Sequence, residues 1–208
     1  MIDKWLSKTK LNKVLEKLVK KLFFNKISAN QLTLAALIIG LSSAVIIFLS
    51  GILTWKIELI IIATILMIIS FFFDTFDGAL ARLKEPTIFG GILDIFSDRT
   101  VEVFIIISLI STDIPHLMWP GIFSLGSIVL CITMFLLTGG AINPEELDDH
   151  KKVIYYRHGL MERSETFLFL LAITIFYFWR FILLWIFAIL VLLTALLRLK
   201  DVYKILKK

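Results

Sequence analysis

The chain has 208 residues, 59% of them hydrophobic, and a mean hydropathy of +0.92; the length suits one domain, and an apolar share above the roughly 45–50% of soluble domains excludes an ordinary soluble fold. Its 22 Lys and Arg against 17 Asp and Glu leave a net charge of +5 and a pI near 9.3, but the basic residues flank apolar runs instead of alternating with aromatics on a soluble face, which excludes a nucleic-acid partner and reads as membrane anchoring. The single cysteine, Cys131, lies inside an apolar run; it excludes a disulfide framework and a clustered zinc site, and reads as a small buried side chain.

Met1 to Lys26 carries eight lysines against Asp3 and Glu16, with Leu11, Val14, Leu15, Leu18 and Leu22 at helical spacing. This pattern predicts a basic amphipathic helix on an anionic leaflet, and no signal-peptide cleavage site is evident behind it. The runs Ile27 to Trp55 and Ile114 to Pro144 hold no Asp, Glu, Lys or Arg, and each exceeds the roughly 20 residues of a spanning helix. The expected fold class is all-α: a polytopic membrane protein of six transmembrane helices at 29–52, 57–82, 90–112, 118–140, 164–179 and 180–199, with an N-terminal amphipathic surface helix. Phe167 to Phe178 is short for a span, and only Arg180 divides the last two.

Six spans put both termini on one side. The segments 1–26, the turn after Arg82, 141–165 and the tail from Arg198 hold Lys84, Lys151, Lys152, Arg157, Arg163, the eight N-terminal lysines and five basic tail residues. The opposite connections hold only Lys56 and Arg180. The positive-inside rule places both termini in the cytoplasm. No internal repeat of the transporter kind is visible.

The chemistry lies between Asp74 and Asp98. With Asp74 at zero on a helix, Asp77 falls about 60° to one side, Gly78 about 40° to the other, Ala81 within about 20° and Arg82 about 80° round. Asp94 and Asp98, spaced i and i+4, share a face of the next span. A turn of seven residues, Leu83 to Phe89, makes the two helices antiparallel neighbours, so four carboxylates converge near their cytoplasmic ends. Intramembrane carboxylates cost several kcal/mol each unless compensated, and polyvalent cations relieve the repulsion most simply. Mg2+ or Mn2+, as a pair of ions, is the expected cofactor. Arg82 adds a phosphate partner, and Gly78 and Ala81 leave a gap for a flat ligand. Ions and an arginine beside open space suit phosphoryl transfer. Ordinary helix-end salt bridges with Arg82, Lys84 and Arg99 are the bland alternative, and the acids outnumber these bases.

The string Asp-x2-Asp-Gly-x2-Ala-Arg-x7-Gly-x3-Asp-x3-Asp, read from Asp74 through Asp77, Gly78, Ala81, Arg82, Gly90 and Asp94 to Asp98, resembles the signature of the CDP-alcohol phosphotransferases, with every defining position occupied. The resemblance implies a six-helix catalytic domain at 27–208 preceded by the juxtamembrane helix 1–26, a cytoplasm-facing site, and transfer of a phosphatidyl group from a CDP-linked lipid to an acceptor alcohol with release of CMP. Asp74, Asp77 and Asp94 are then the metal ligands. Asp98 completes the cluster and is the general base. Gly78 and Ala81 make room for the cytidine, and Arg82 contacts the diphosphate. Where the family often has Pro-Asn-x2-Leu-Thr, this chain has Ser28-Ala29-Asn30-Gln31-Leu32-Thr33; Asn30 and Thr33 stand open to nucleotide contact or to helix capping. Expected partners are the CDP-linked donor, a small alcohol acceptor, membrane lipids and, as is common in the family, a second copy of the chain.

Arg157 and Arg163 are the candidate acceptor-binding residues. The string Gly159-Leu-Met-Glu-Arg163-Ser-Glu165 faintly resembles the acceptor segment of relatives that use inositol phosphate, which makes a phosphorylated polyol one candidate acceptor. His158 reads as a surface histidine. Two other functions compete: an intramembrane magnesium-dependent prenyltransferase, which resembles a longer chain with separated acidic motifs, and a cation transporter using the buried aspartates, against which Arg82 and Gly78 on the acidic face argue.

Overall fold

The computed structural model describes residues 10–24, 26–84, 86–141 and 161–206, all of whose regular elements are helical. In chain order they are α1 Lys10–Leu22, α2 Ala29–Ile52, α3 Lys56–Lys84, α4 Ile88–Thr112, α5 Ile114–Ala141, α6 Arg163–Ile175, a 3₁₀ turn Tyr177–Trp179, and α7 Arg180–Leu206. Helix α2 lies against both α3 and α4, α5 pairs with α7, and α6 is held by α3, α4 and α7.

Among the described residues, four helical stretches are long and apolar enough to cross a membrane: Ala29–Ile52, Lys56–Lys84, Ile114–Leu137 and Tyr177–Tyr203. The other two expected spans differ for separate reasons. Helix α4 has the length but carries Asp94, Asp98, Arg99 and Glu102. Helix α6 has 13 residues instead of the 16 of 164–179, about 20 Å at 1.5 Å per residue. Of the N-terminal helix, Lys10–Leu22 is described and residues 1–9 are not. Val19 is fully buried with Leu32, Ala79 and Leu80, so α1 is seated on α2 and α3 by one apolar face.

Local signals account for the helix ends. Ser28 caps α2 with a reciprocal box: Gln31 N donates to Ser28 Oγ at 3.2 Å and Ser28 N donates to Gln31 Oε1 at 2.9 Å. The cap is therefore not Asn30. Thr87 caps α4, accepting from Gly90 N at 3.0 Å. Because α3 runs on to Lys84 and α4 starts at Ile88, the connection is shorter than the seven residues expected. Lys84 Nζ donates to Ile27 O at 3.0 Å, tying the end of α3 to the entry of α2.

The apolar core gathers Ile47, Met67, Ile106, Leu109, Leu170, Ile173, Leu184 and Phe187 from α2, α3, α4, α6 and α7. Close approach matters at Gly40, where a Cβ would stand 2.6 Å from Val101 Cγ2 and 3.0 Å from Ser70 Oγ; Ser70 Oγ donates across to Ala36 O at 2.7 Å. Such small-residue contacts are how helices associate where lipid supplies no hydrophobic drive.

Arg180 is 2% exposed, not the membrane-surface residue its place between two apolar runs suggests. Its guanidinium donates to Ile173 O at 3.1 Å, Thr174 O at 3.0 Å and Thr112 Oγ1 at 3.1 Å, pinning the end of α6 to the end of α4. Arg180→Ala should lower stability in detergent by roughly 2 kcal/mol, the cost of leaving such carbonyls unsatisfied. A thermal melt that did not move would show that water or lipid replaces the guanidinium.

Candidate active site

Helices α3 and α4, joined by a short turn, each pack on α2 and not, as neighbours would, on one another; they still bring Asp74, Asp94 and Asp98 together, with one oxygen from each within 4.8 Å of the others. The cause is the short Thr87-capped turn combined with i and i+4 spacing on α4. Asp77, one turn beyond Asp74, lies outside that trio. It is 3% exposed, and its Oδ2 has no hydrogen-bond partner among the described residues.

A cation does reach the trio, and it comes from α6. Arg163 Nη2 donates to Asp74 Oδ1, to Asp94 Oδ1 at 3.2 Å and to Asp98 Oδ1 at 3.0 Å, while Arg163 Nε pairs with Asp98 Oδ2 at 2.8 Å. Arg163 thus stands among the carboxylates, a position that the expectation of acceptor binding did not include. The other candidate, Arg157, lies outside the described residues. Of the bases in the salt-bridge alternative, Arg99 pairs with Glu102 at 2.6 Å and Lys84 with Ile27 O.

On the terminal side of the trio is a cavity of about 300 Å³, lined by Asn30, Gly78, Ala81, Thr87, Gly90 and Asp94 among others. Three of the five residues that the resemblance assigns to the nucleotide, Asn30, Gly78 and Ala81, are therefore on its wall. Space at Gly90 is tight: a Cβ there would stand 2.9 Å from Thr87 Oγ1 and 3.1 Å from Asn30 Oδ1, so a side chain would make both give way. The remaining two are placed differently. Thr33 is buried and donates its hydroxyl to Ala29 O at 3.1 Å. Arg82 is exposed and off the wall, with Nη1 3.6 Å from where a Gly78 Cβ would be.

Two further cavities meet Asp98 and Arg163. One of about 60 Å³ runs among Ser70, Phe71, Asp74, Glu102 and Phe167. The other, of about 140 Å³, lies towards α5 and α7 and is lined by Arg99, Arg163 and Arg198 together with Asp98 and Glu162. Arg198 is fixed by donation to Cys131 O at 3.0 Å and by stacking on Phe135 at 5.4 Å. Sequence reasoning missed Arg198 as a site residue because a basic residue ending a hydrophobic span already has an anchoring explanation. Glu102 was missed although a signal existed: it extends the i, i+4 series of Asp94 and Asp98 by one more turn.

The chain matches the family model described as CDP-alcohol phosphatidyltransferase over residues 26–195. No curated protein sequence matches it significantly. Among solved structures it is similar to the Mycobacterium tuberculosis phosphatidylinositol phosphate synthase PgsA1 crystallised with CDP-DAG bound, with a TM-score of 0.69 and 18% identity over 92% of this chain and 94% of that one. The signature whose aspartates the fold brings together lies wholly within the matched residues, and the chain, an integral membrane transferase, belongs to the CDP-alcohol phosphatidyltransferase family.

Proposed function

We propose that the enzyme serves phospholipid synthesis by moving a phosphatidyl group from a CDP-linked lipid to an acceptor alcohol, releasing CMP. The observation that carries this reading is the trio Asp74, Asp94 and Asp98 bordering a cavity walled by Asn30, Gly78, Ala81 and Gly90. Family membership displaces the prenyltransferase and transporter alternatives.

The residues fit a pair of divalent ions. Three converging carboxylates attract a cationic side chain, and the fourth, Asp77, keeps a buried oxygen without a partner; oxygen-only donors suit Mg2+ or Mn2+. Asp74, Asp77, Asp94 and Asp98 would hold them, and the ions would supply charge neutralisation on the diphosphate and acidify the acceptor hydroxyl. The chain's own residues do the rest. Gly78, Ala81 and Gly90 let the cytidine lie against the backbone, Asn30 orients it, and Arg82, off the wall but beside Gly78, turns in to the phosphates. Asp98 takes the acceptor's proton as the hydroxyl oxygen bonds to the lipid-bearing phosphorus. The bond from that phosphorus to the CMP oxygen breaks, and CMP leaves with the electron pair.

The acceptor is read from the arginine cavity. Arg99, Arg163 and Arg198 line one cavity together with Asp98, and guanidinium groups gathered in this way suit recognition of a phosphate. This supports an acceptor carrying its own phosphate, such as inositol phosphate, in keeping with the activity named for PgsA1. Six crossings complete the proposal: α4 crosses with its acids compensated, and α6 starts at the depth of the carboxylates and so needs only half a bilayer and a little more. Both termini and the site then face the cytoplasm.

Purified protein offered CDP-diacylglycerol, magnesium and a panel of alcohols with and without a phosphate should form, by mass, products that retain the acceptor's phosphate. Equal turnover of unphosphorylated alcohols would overturn the acceptor reading. Gly90→Ala should weaken donor affinity by roughly tenfold, about 1.4 kcal/mol, because the new methyl displaces Asn30; unaltered affinity would remove this wall from the nucleotide site.

A further inference from the structure

Arg163 occupies a position that the transfer mechanism cannot leave it in. Its guanidinium is bidentate on Asp98 and touches Asp74 and Asp94, so the general base and two metal ligands are engaged by one side chain. That side chain is nonetheless 33% exposed, sits at the first residue of α6, and borders both the small cavity beside Glu102 and the larger one that holds Arg99 and Arg198.

We propose that Arg163 is the counter-ion of the carboxylate cluster in the metal-free enzyme, and that divalent metal displaces its guanidinium towards Arg99 and Arg198, where it completes the acceptor's phosphate subsite. The inference rests on the metal reading above and adds an order of events to it. Three ionised carboxylates and one guanidinium leave a surplus of negative charge, which a divalent ion relieves better than a monovalent one. The guanidinium and the ion repel each other and compete for the same oxygens, so they cannot share the trio. The arginine stem is long enough to turn about the α6 terminus while its backbone stays put. Without metal, a phosphorylated acceptor meets two arginines and a base that is already engaged. With metal, it meets three arginines and a released Asp98. Metal and acceptor phosphate therefore favour the same arrangement, and each raises the affinity for the other.

The test is Mn2+ binding in the absence of donor and acceptor, followed by the spectroscopic signal of unbound Mn2+, on wild type, Arg163→Gln, Arg163→Lys and Asp74→Asn. Loss of a competitor should make Arg163→Gln bind Mn2+ about tenfold more tightly than wild type, within the usual range of such couplings. Arg163→Lys, which keeps the charge without the fork, should fall between them and serves if the Gln variant does not fold. In chelator, Arg163→Gln should melt below wild type, and saturating Mn2+ should remove the difference. Equal Mn2+ affinity in wild type and Arg163→Gln, with weaker binding in Asp74→Asn, would overturn the exchange and leave the metal site standing. Weaker binding in Arg163→Gln would make Arg163 a support of the metal site and overturn the exchange as well. Absence of Mn2+ binding in every variant would overturn both readings.

Discussion

Asp74→Asn should abolish CMP release at saturating magnesium, and Asp94→Asn should do the same, each by on the order of 10³-fold or more, because several kcal/mol of transition-state charge stabilisation are lost with the ions and each 1.36 kcal/mol is a factor of ten. Both residues donate an oxygen to the trio, and asparagine keeps the volume while removing the charge. The fold should survive: in the metal-free state each change relieves like-charge repulsion and leaves Arg163 with two other carboxylates. A thermal melt beside the activity assay separates the two effects. A variant that retained turnover near wild type at limiting magnesium would not be a metal ligand.

Asp98→Asn should behave differently. Asp98 lies one turn deeper on α4 than Asp94, and it alone of the trio lines the cavity that holds Arg99 and Arg198. An alcohol is a poor nucleophile and must lose its proton as it attacks, whereas CMP departs without a strong acid. The expected result is donor affinity close to wild type with turnover down by about 10²–10⁴-fold, the usual contribution of a general base. Donor binding and turnover on the same sample decide the role. Lost donor affinity would make Asp98 a ligand alone, and unchanged turnover would remove it from the mechanism.

Much of this site was legible because it is local. Eight signature positions from Asp74 to Asp98 sit on two consecutive helices joined by a tight turn, so helical spacing and that turn bring the carboxylates to one place, while the packing of both helices on α2 was not part of the expectation. The helices themselves fall where apolar runs place them, including the break before Arg180. What was not legible depends on contacts distant in sequence. Arg163 is 89 positions from Asp74, and nothing in its local string says that it turns into the carboxylates and not towards an acceptor. Arg180 looked like an anchor because only the fold shows that the ends of α4 and α6 meet there. The shortness of α6 likewise arises at its far end, where the helix stops at Ile175 and Arg180 takes up the carbonyls of Ile173 and Thr174. The role of Asn30 turned on Ser28 and Gln31, whose capping box was present in the sequence and whose reading would have removed Asn30 from capping.

Transfer from a CDP-linked donor at the aspartate cluster should depend on divalent metal. Its most direct test is CMP release by the purified wild-type protein from CDP-diacylglycerol in the presence of a phosphorylated polyol, measured with magnesium and then after chelation. CMP appearing in step with a new phospholipid, ceasing on chelation and returning when magnesium is restored, is the result this structure predicts. Transfer that continued undiminished in chelator, or CDP-diacylglycerol left intact with magnesium and every acceptor present, would contradict it.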